Sequence, residues 1–205
     1  MIGIVDYGTG NLSSILKSFE KMGADAKIVS SQNEIELADK LILPGVGHFS
    51  SGMEKLNDRD LVNILHDKVL LNNTPILGIC LGMQLFANYS HEGNVKGLGW
   101  IDAEVVQLSV KDPLRWKIPH MGWNSANTIK SNALFGSNSA DNMYYFVHKY
   151  HMVCNDNDDI LSRTNYSYEF TSAVNRGCIY GTQFHPEKSL NSGLELLRNF
   201  AFKVQ

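Results

Sequence analysis

The sequence predicts one mixed α/β domain, with a mostly parallel sheet flanked by helices and additional antiparallel strands in its second half. Three observations predict it. The chain has 205 residues, 43% of them hydrophobic and 19% charged, which suits one sizeable core and is too apolar for a disordered chain. Its first half alternates short apolar runs with segments of helical periodicity, the pattern of strands joined by right-handed crossovers. Beyond Ile101 the period changes to two, with turn signals between the runs. No Pro-, Gly- or Ser-rich linker and no repeat divides the halves, so a single domain over residues 1–205 is expected.

Residues 1–7 are apolar and end at DYGTGN, a strand and its turn. Leu12, Ile15, Leu16, Phe19 and Met22 then recur at helical spacing, with Asn11 as N-cap and Gly23 as the stop. Residues 25–30 hold a second strand, and Ser31-Gln-Asn-Glu34 has the form of a capping box opening a short helix. Residues 40–44 form a third strand before the glycine turn GVG. Leu61, Ile64, Leu65 and Val69 mark a helix over 60–71, and residues 75–79 a buried fourth strand. In the second half, residues 101–110, 123–130, 142–154, 169–174 and 179–184 alternate as strands, and a helix closes the chain over 189–204.

The formal net charge of -3 and pI near 6.1 show no basic stripe, so no nucleic-acid partner is expected. The longest uncharged apolar stretch, residues 75–87, is too short to span a bilayer and contains glycines, so no membrane segment is expected either. MIGIVDYG lacks a basic n-region and a cleavage site. Cys80, Cys154 and Cys178 form neither a CxxC pair nor an even framework and read as free thiols of a cytoplasmic protein.

The most informative segment is Gly78-Ile-Cys80-Leu-Gly82, where an apolar strand runs into a helix. This is the form of a nucleophile elbow with Cys in place of Ser. A sharp turn strains the nucleophile's backbone, flanking glycines avoid clashes, and the helix N-terminus favours thiolate and oxyanion. A nucleophilic thiol needs a base and an orienting group, and Gly181-Thr-Gln-Phe-His185-Pro-Glu187-Lys188 supplies both after another apolar strand. In an extended chain His185 and Glu187 share a face. Leu43-Pro-Gly45-Val-Gly47 follows the third strand, where a mobile loop could bring the Gly47 N–H to an oxyanion, with the Leu81 N–H as second donor.

The segments DYGTGN, LPGVGHF, GICLGMQ, PHMGWN and QFHPEKS, in this chain order, resemble the class I (triad) glutamine amidotransferases. The match runs from Asp6 to Phe200, and PHMGWN with HPEKS is most similar to the glutaminase subunits of imidazole glycerol phosphate synthase. The resemblance implies that Cys80 attacks the side-chain amide of glutamine, His185 shuttles the proton and Glu187 orients His185. It implies substrate contacts from Gln84 and Glu92 and from the backbone around His148, Lys149 and Tyr150. It further implies a (β/α)8-barrel synthase as heterodimeric partner, faced by Asn11, Met121, Trp123 and Lys188, to which ammonia passes. The acceptor would yield imidazole glycerol phosphate and an aminoimidazole carboxamide ribonucleotide in histidine biosynthesis, with no cofactor. Two positions depart from the family pattern. Lys149 stands where a small hydroxyl residue is usual, and His91 where an acidic residue often precedes Glu92. Relatives of this subunit that supply ammonia to synthases modifying surface-polysaccharide sugars are an alternative, as is a stand-alone cysteine hydrolase.

His148-x-x-His151-x-x-Cys154 invites a zinc reading, but strand alternation puts the two histidines on opposite faces, and no metal is expected. Gly8-Thr-Gly10-Asn-Leu-Ser13 lacks the third glycine and the acidic ribose partner of a dinucleotide fingerprint. Residues 155–159 lack the glycine and terminal Glu of a calcium loop.

Overall fold

The computed structural model describes residues 1–136 and 143–204; Asn142, the first residue of one predicted strand, lies outside them. In chain order the elements begin with β1 (Ile2–Val5), α1 (Leu12–Lys21), β2 (Ala26–Val29), α2 (Gln32–Glu36), β3 (Lys40–Gly45), α3 (Phe49–Asp58) and α4 (Val62–His66). A turn of π-helix over Asp67–Leu71 leads to β4 (Ile76–Cys80), α5 (Leu81–Gln84), β5 (Ala87–Ser90), β6 (Val95–Lys96) and β7 (Ile101–Gln107). The second half adds β8 (His120–Ser125), β9 (Asn127–Thr128), β10 (Met143–His148), β11 (Tyr150–Cys154), β12 (Ile160–Tyr166), β13 (Tyr168–Arg176), β14 (Ile179–Thr182) and α6 (Leu190–Phe202).

The main sheet has the order β2-β1-β3-β4-β14-β13-β12-β9. Strands β2, β1, β3, β4 and β14 run parallel, and β13, β12 and β9 continue antiparallel. Strict alternation in β3 shows how one sequence serves two layers. Leu41 and Leu43 join a core with Phe49, Leu56, Leu65 and Phe86, while Ile42 joins Ile15, Phe19, Leu197 and Phe200 on the opposite face. A two-stranded sheet (β10-β8) and a four-stranded one (β11-β7-β5-β6) flank this layer. Among the described residues no helix is long and apolar enough to cross a membrane.

Several elements differ from their sequence reading. Helix α3 is additional to the sequence reading; Phe49, Gly52, Met53 and Leu56 give it a buried stripe, and the His48 ring accepts from the Ser50 N–H as its cap. The helix read over 60–71 is α4 plus the π-turn, whose Asn72 N–H donates to the Asp67 carbonyl at 3.0 Å. That wider turn lets the buried Lys68 ammonium donate to the Glu36 carbonyl at 2.9 Å. Asn11 precedes α1 but makes no side-chain cap, whereas the Ser31–Glu34 capping box is formed on both sides. The stretch read as one strand through residue 154 breaks at Lys149, so β10 and β11 belong to different sheets. Strands β5, β6 and β12 are additional to the sequence reading.

Candidate active site

Cys80 ends β4, which lies between β3 and β14. Gly45 is in register with Cys80 on one side and Thr182 with Ile79 on the other. The loops leaving β3 and β14 therefore emerge beside the thiol at the carboxyl end of the sheet, where open α/β sheets place their ligands. The elbow is real: Cys80 sits at φ 54°, ψ -108°, a conformation that costs a non-glycine residue about 1–3 kcal/mol. Gly82 is required by contact, because a Cβ there would lie 1.8 Å from the Leu43 carbonyl oxygen. Leu81 opens α5, so its N–H has no intrahelical acceptor.

The His185 and Glu187 side chains are almost completely buried, with Nδ1 and Oε1 2.9 Å apart. They do not meet across an extended chain, as their spacing suggested. Pro186–Lys188 form a 3-10 turn that folds the carboxylate back onto the ring. The Tyr145 carbonyl accepts from the His185 N–H at 2.9 Å, which fixes the turn to β10. With Nδ1–H donated to Glu187, the proton-accepting atom is Nε2, which is buried without a hydrogen bond to any described group. Burial opposes charge on this ring, but the adjoining Cys80 thiolate and the Glu187 carboxylate outweigh it and raise the ring's pKa from 6.5 to about 10.

Cys80 and His185 open onto one cavity of about 430 Å³. Gly47, Leu81, Gln84, Glu92, His148, Lys149 and Tyr150, all singled out from sequence, line the same cavity. Gln84 is buried, and its amide donates to the Tyr150 carbonyl at 2.8 Å and to Gln183 Oε1 at 2.9 Å. The Glu92 carboxylate accepts from the Phe49 N–H at 2.8 Å, at the start of α3. His148 donates from Nδ1 to the Tyr150 carbonyl at 2.9 Å, so its Nε2 accepts from His120 Nδ1 at 3.0 Å. Burial keeps both rings neutral, pushing His148 well below its usual range and His120 down to about 4. His148 thus bonds away from His151, which lies on the other sheet.

Two contributors escaped sequence reasoning. Gln183 donates to the Cys80 sulfur at 3.7 Å and accepts from Gln84, tying thiol and pocket wall together; it stands inside the QFHPEKS segment, two residues before His185. Thr9, within DYGTGN, donates its hydroxyl to the Val46 carbonyl at 2.6 Å and so holds the peptide that carries the Gly47 N–H.

The residues expected to face a partner do not enter the cavity. Met121 and Trp123 are exposed on β8, Lys188 is exposed in the turn after Glu187, and Asn11 is half-buried before α1. Trp123 packs edge-on to Tyr145 and, with Met143 and Leu190, lines a separate surface depression.

A family model for glutamine amidotransferase class-I matches residues 3–204. The chain belongs to the class I glutamine amidotransferases. Among its relatives, the imidazole glycerol phosphate synthase subunit HisH 2 of Methanococcus maripaludis is 48% identical over 200 residues, spanning 98% of both chains. HisH 2 of Pseudomonas aeruginosa is 44% identical over 98% of both chains, and HisH of Sulfurimonas denitrificans 46% identical over 98% of this chain and 97% of its own. The amidotransferase fold is shared more widely. A solved glutamine amidotransferase superposes with a TM-score of 0.70 at 18% identity, covering 97% of this chain and 96% of its own. The glutaminase domain of Trypanosoma brucei CTPS gives 0.60 at 18% identity, covering 98% and 93%.

Proposed function

We propose that this amidotransferase is the glutaminase subunit of an imidazole glycerol phosphate synthase, one domain over residues 1–205 that hydrolyses glutamine and passes the ammonia to a synthase partner. The observation that carries the reading is the convergence of the Cys80 elbow and the His185–Glu187 pair on one cavity, in a chain 40–48% identical over its length to HisH subunits.

In this reading Cys80 Sγ, as thiolate, attacks the carboxamide carbon of glutamine, and the oxyanion is held by the Leu81 and Gly47 N–H groups. His185 gives its Nε2 proton to the departing nitrogen, which leaves as ammonia. The γ-glutamyl thioester on Cys80 is then attacked by a water whose proton returns to Nε2, releasing glutamate and the thiolate. Glu187 holds the ring's tautomer and supports its charge. Gln84, Glu92 and the backbone at His148–Tyr150 grip the amino-acid end of the substrate. Ammonia released to water at neutral pH is mostly protonated and no longer nucleophilic, so delivery requires a docked acceptor subunit. A (β/α)8-barrel synthase forming a heterodimer on the Asn11, Met121, Trp123 and Lys188 side is the partner this reading takes, in the cytoplasm.

A second reading is favoured by the numbered names of the HisH 2 relatives, which fit a subunit copy serving another synthase, such as one aminating or amidinating surface sugars. The test co-purifies the chain with its synthase and supplies either glutamine or an ammonium salt. Imidazole glycerol phosphate formation with both nitrogen sources is expected. Synthase activity with ammonium but none with glutamine overturns the amidotransferase role, and a different product replaces the first reading by the second.

A further inference from the structure

The cavity at Cys80 carries few charged side chains. Among the described residues Lys149 is the one lysine or arginine lining it, and Glu92 the one carboxylate. Glu92 is already oriented, one oxygen accepting from the Phe49 N–H at 2.8 Å, which leaves the other without a protein donor. Lys149 stands at the exposed junction between β10 and β11, and its carbonyl accepts from the Leu108 N–H at 2.8 Å, which fixes the backbone there. Its ammonium has no ion pair or hydrogen bond among the described residues, whereas Lys27, Lys40, Lys55 and Lys68 all donate to carboxylates or carbonyls. Of the lining imidazoles, His148 is held neutral by burial, and the charge on His185 is already paired with Glu187. Glutamine, the substrate of the reading above on which this inference rests, carries one cation and one anion at the end remote from its reacting amide.

We infer that Lys149 is the specificity-determining cation that recognises the α-carboxylate of glutamine, opposite Glu92 for the α-ammonium. The assignment follows from chemistry in order. The thiol fixes where the amide carbon sits. The amino-acid end must then lie toward the cavity mouth, where the oriented carboxylate can take the ammonium and, among the described lining residues, Lys149 offers the one unpaired cation for the carboxylate. An ion pair at a solvated mouth is weak, so Lys149 contributes selection among amides more than raw binding.

The test reads labelling of Cys80 by mass spectrometry on the full chain with its co-purified synthase. One reagent is the diazoketone analogue of L-glutamine, which keeps both α-charges and alkylates sulfur with loss of dinitrogen. The other is iodoacetamide, which has neither charge. In Lys149→Met the ratio of the two labelling rates should fall about fivefold, the scale of a mouth ion pair, and Lys149→Arg should restore it. Added salt should lower the wild-type ratio more steeply than that of Lys149→Met, in which only the Glu92 pairing is left to be screened. A purely structural loosening would change both reagents together. An unchanged ratio in Lys149→Met, or a fall in both rates alike, overturns the inference while leaving the glutaminase reading intact. A wild-type Cys80 that iodoacetamide labels and the glutamine analogue does not overturns the glutamine pocket itself and this inference with it.

Discussion

The two sides of the thiol are built in opposite ways. On one side the elbow, α5 and the His185–Glu187 turn are buried, and a single added methyl at Gly82 would strike backbone. On the other, Val46, Gly47 and His48 are exposed, and a Cβ on Gly47 would meet nothing within 4 Å. Gly47 has φ 103°, open to glycine and strained for other residues. On the proposed reading, the nucleophile, its base and one oxyanion donor are therefore fixed by packing, and the second donor is left on a loop that can turn without disturbing the core. A glutaminase that must not release ammonia into water gains from this division, since the chemistry can wait on one peptide.

The largest effect should come from the fixed side. Cys80→Ala removes the nucleophile and should abolish ammonia release from glutamine, a loss of about 10⁴-fold or more. The synthase's use of ammonium salts should persist, which coupled assays of the same complex would check. Loss of both activities would mean that the elbow supports the partner and not only the chemistry.

Two glycine substitutions set the sides against each other. Gly47→Ala should lower turnover about 10²–10³-fold by misplacing an oxyanion donor while leaving the melting temperature near wild type. Gly82→Ala should do the reverse in kind, destabilising the fold by about 1–3 kcal/mol through overpacking against Leu43. Thermal melts beside kcat measurements separate the two. Equal destabilisation by both would show that the loop is as tightly built as the elbow.

The charge on His185 gives a pH-dependent comparison. Its pKa is raised from 6.5 to about 10, so the stabilisation from its protonation is complete below about 6.5 and is lost as pH rises through about 10. The proton needed by the leaving nitrogen disappears over the same window, which sets an alkaline limb on the rate. Glu187→Gln removes one of the two anions supporting the ring and should move that limb to lower pH, with about 10–100-fold lower kcat at neutral pH. A pH–rate profile checks it, and a limb that stays in place would leave the thiolate as the sole support of the imidazolium.

Sequence carried the fixed side further than the loose one, for a physical reason. Strand-end motifs such as GICLG and QFHPE are local, and the parallel register of β3, β4 and β14 brings them together once the fold class is known. The capping box at Ser31 and the burial of β4 are local in the same sense. The 3-10 turn under Glu187 was not legible, because Pro186 is compatible with an extended chain as well as with a helical turn. Helix α3 was left unassigned, because Ser50, Ser51 and Gly52 are weak helix formers and the helix is held by burial of Phe49, Met53 and Leu56. Gln183 and the His120–His148 chain depend on side chains from separate strands or sheets meeting, which no spacing in one segment encodes.

The smallest effect belongs to the loop's restraint. The Thr9 hydroxyl donates to the Val46 carbonyl at 2.6 Å and lies 3.4 Å from the Val46 nitrogen, so one side chain holds the peptide preceding Gly47 from across the β1–α1 turn. A hydrogen bond of this exposed kind contributes about 0.5–1.5 kcal/mol net, a factor of about 2–10 in the population of a turned loop. Thr9→Val keeps the shape and removes the donor, so it should raise the basal glutaminase rate of the isolated subunit by that factor. The rate of the fully assembled, acceptor-bound complex should change little, because there the loop is already turned. Steady-state glutamate release with and without partner measures both. A fall in the basal rate would mean that Thr9 holds the loop in its productive orientation, and the looseness of that side would then be a property of its backbone and not of its restraint.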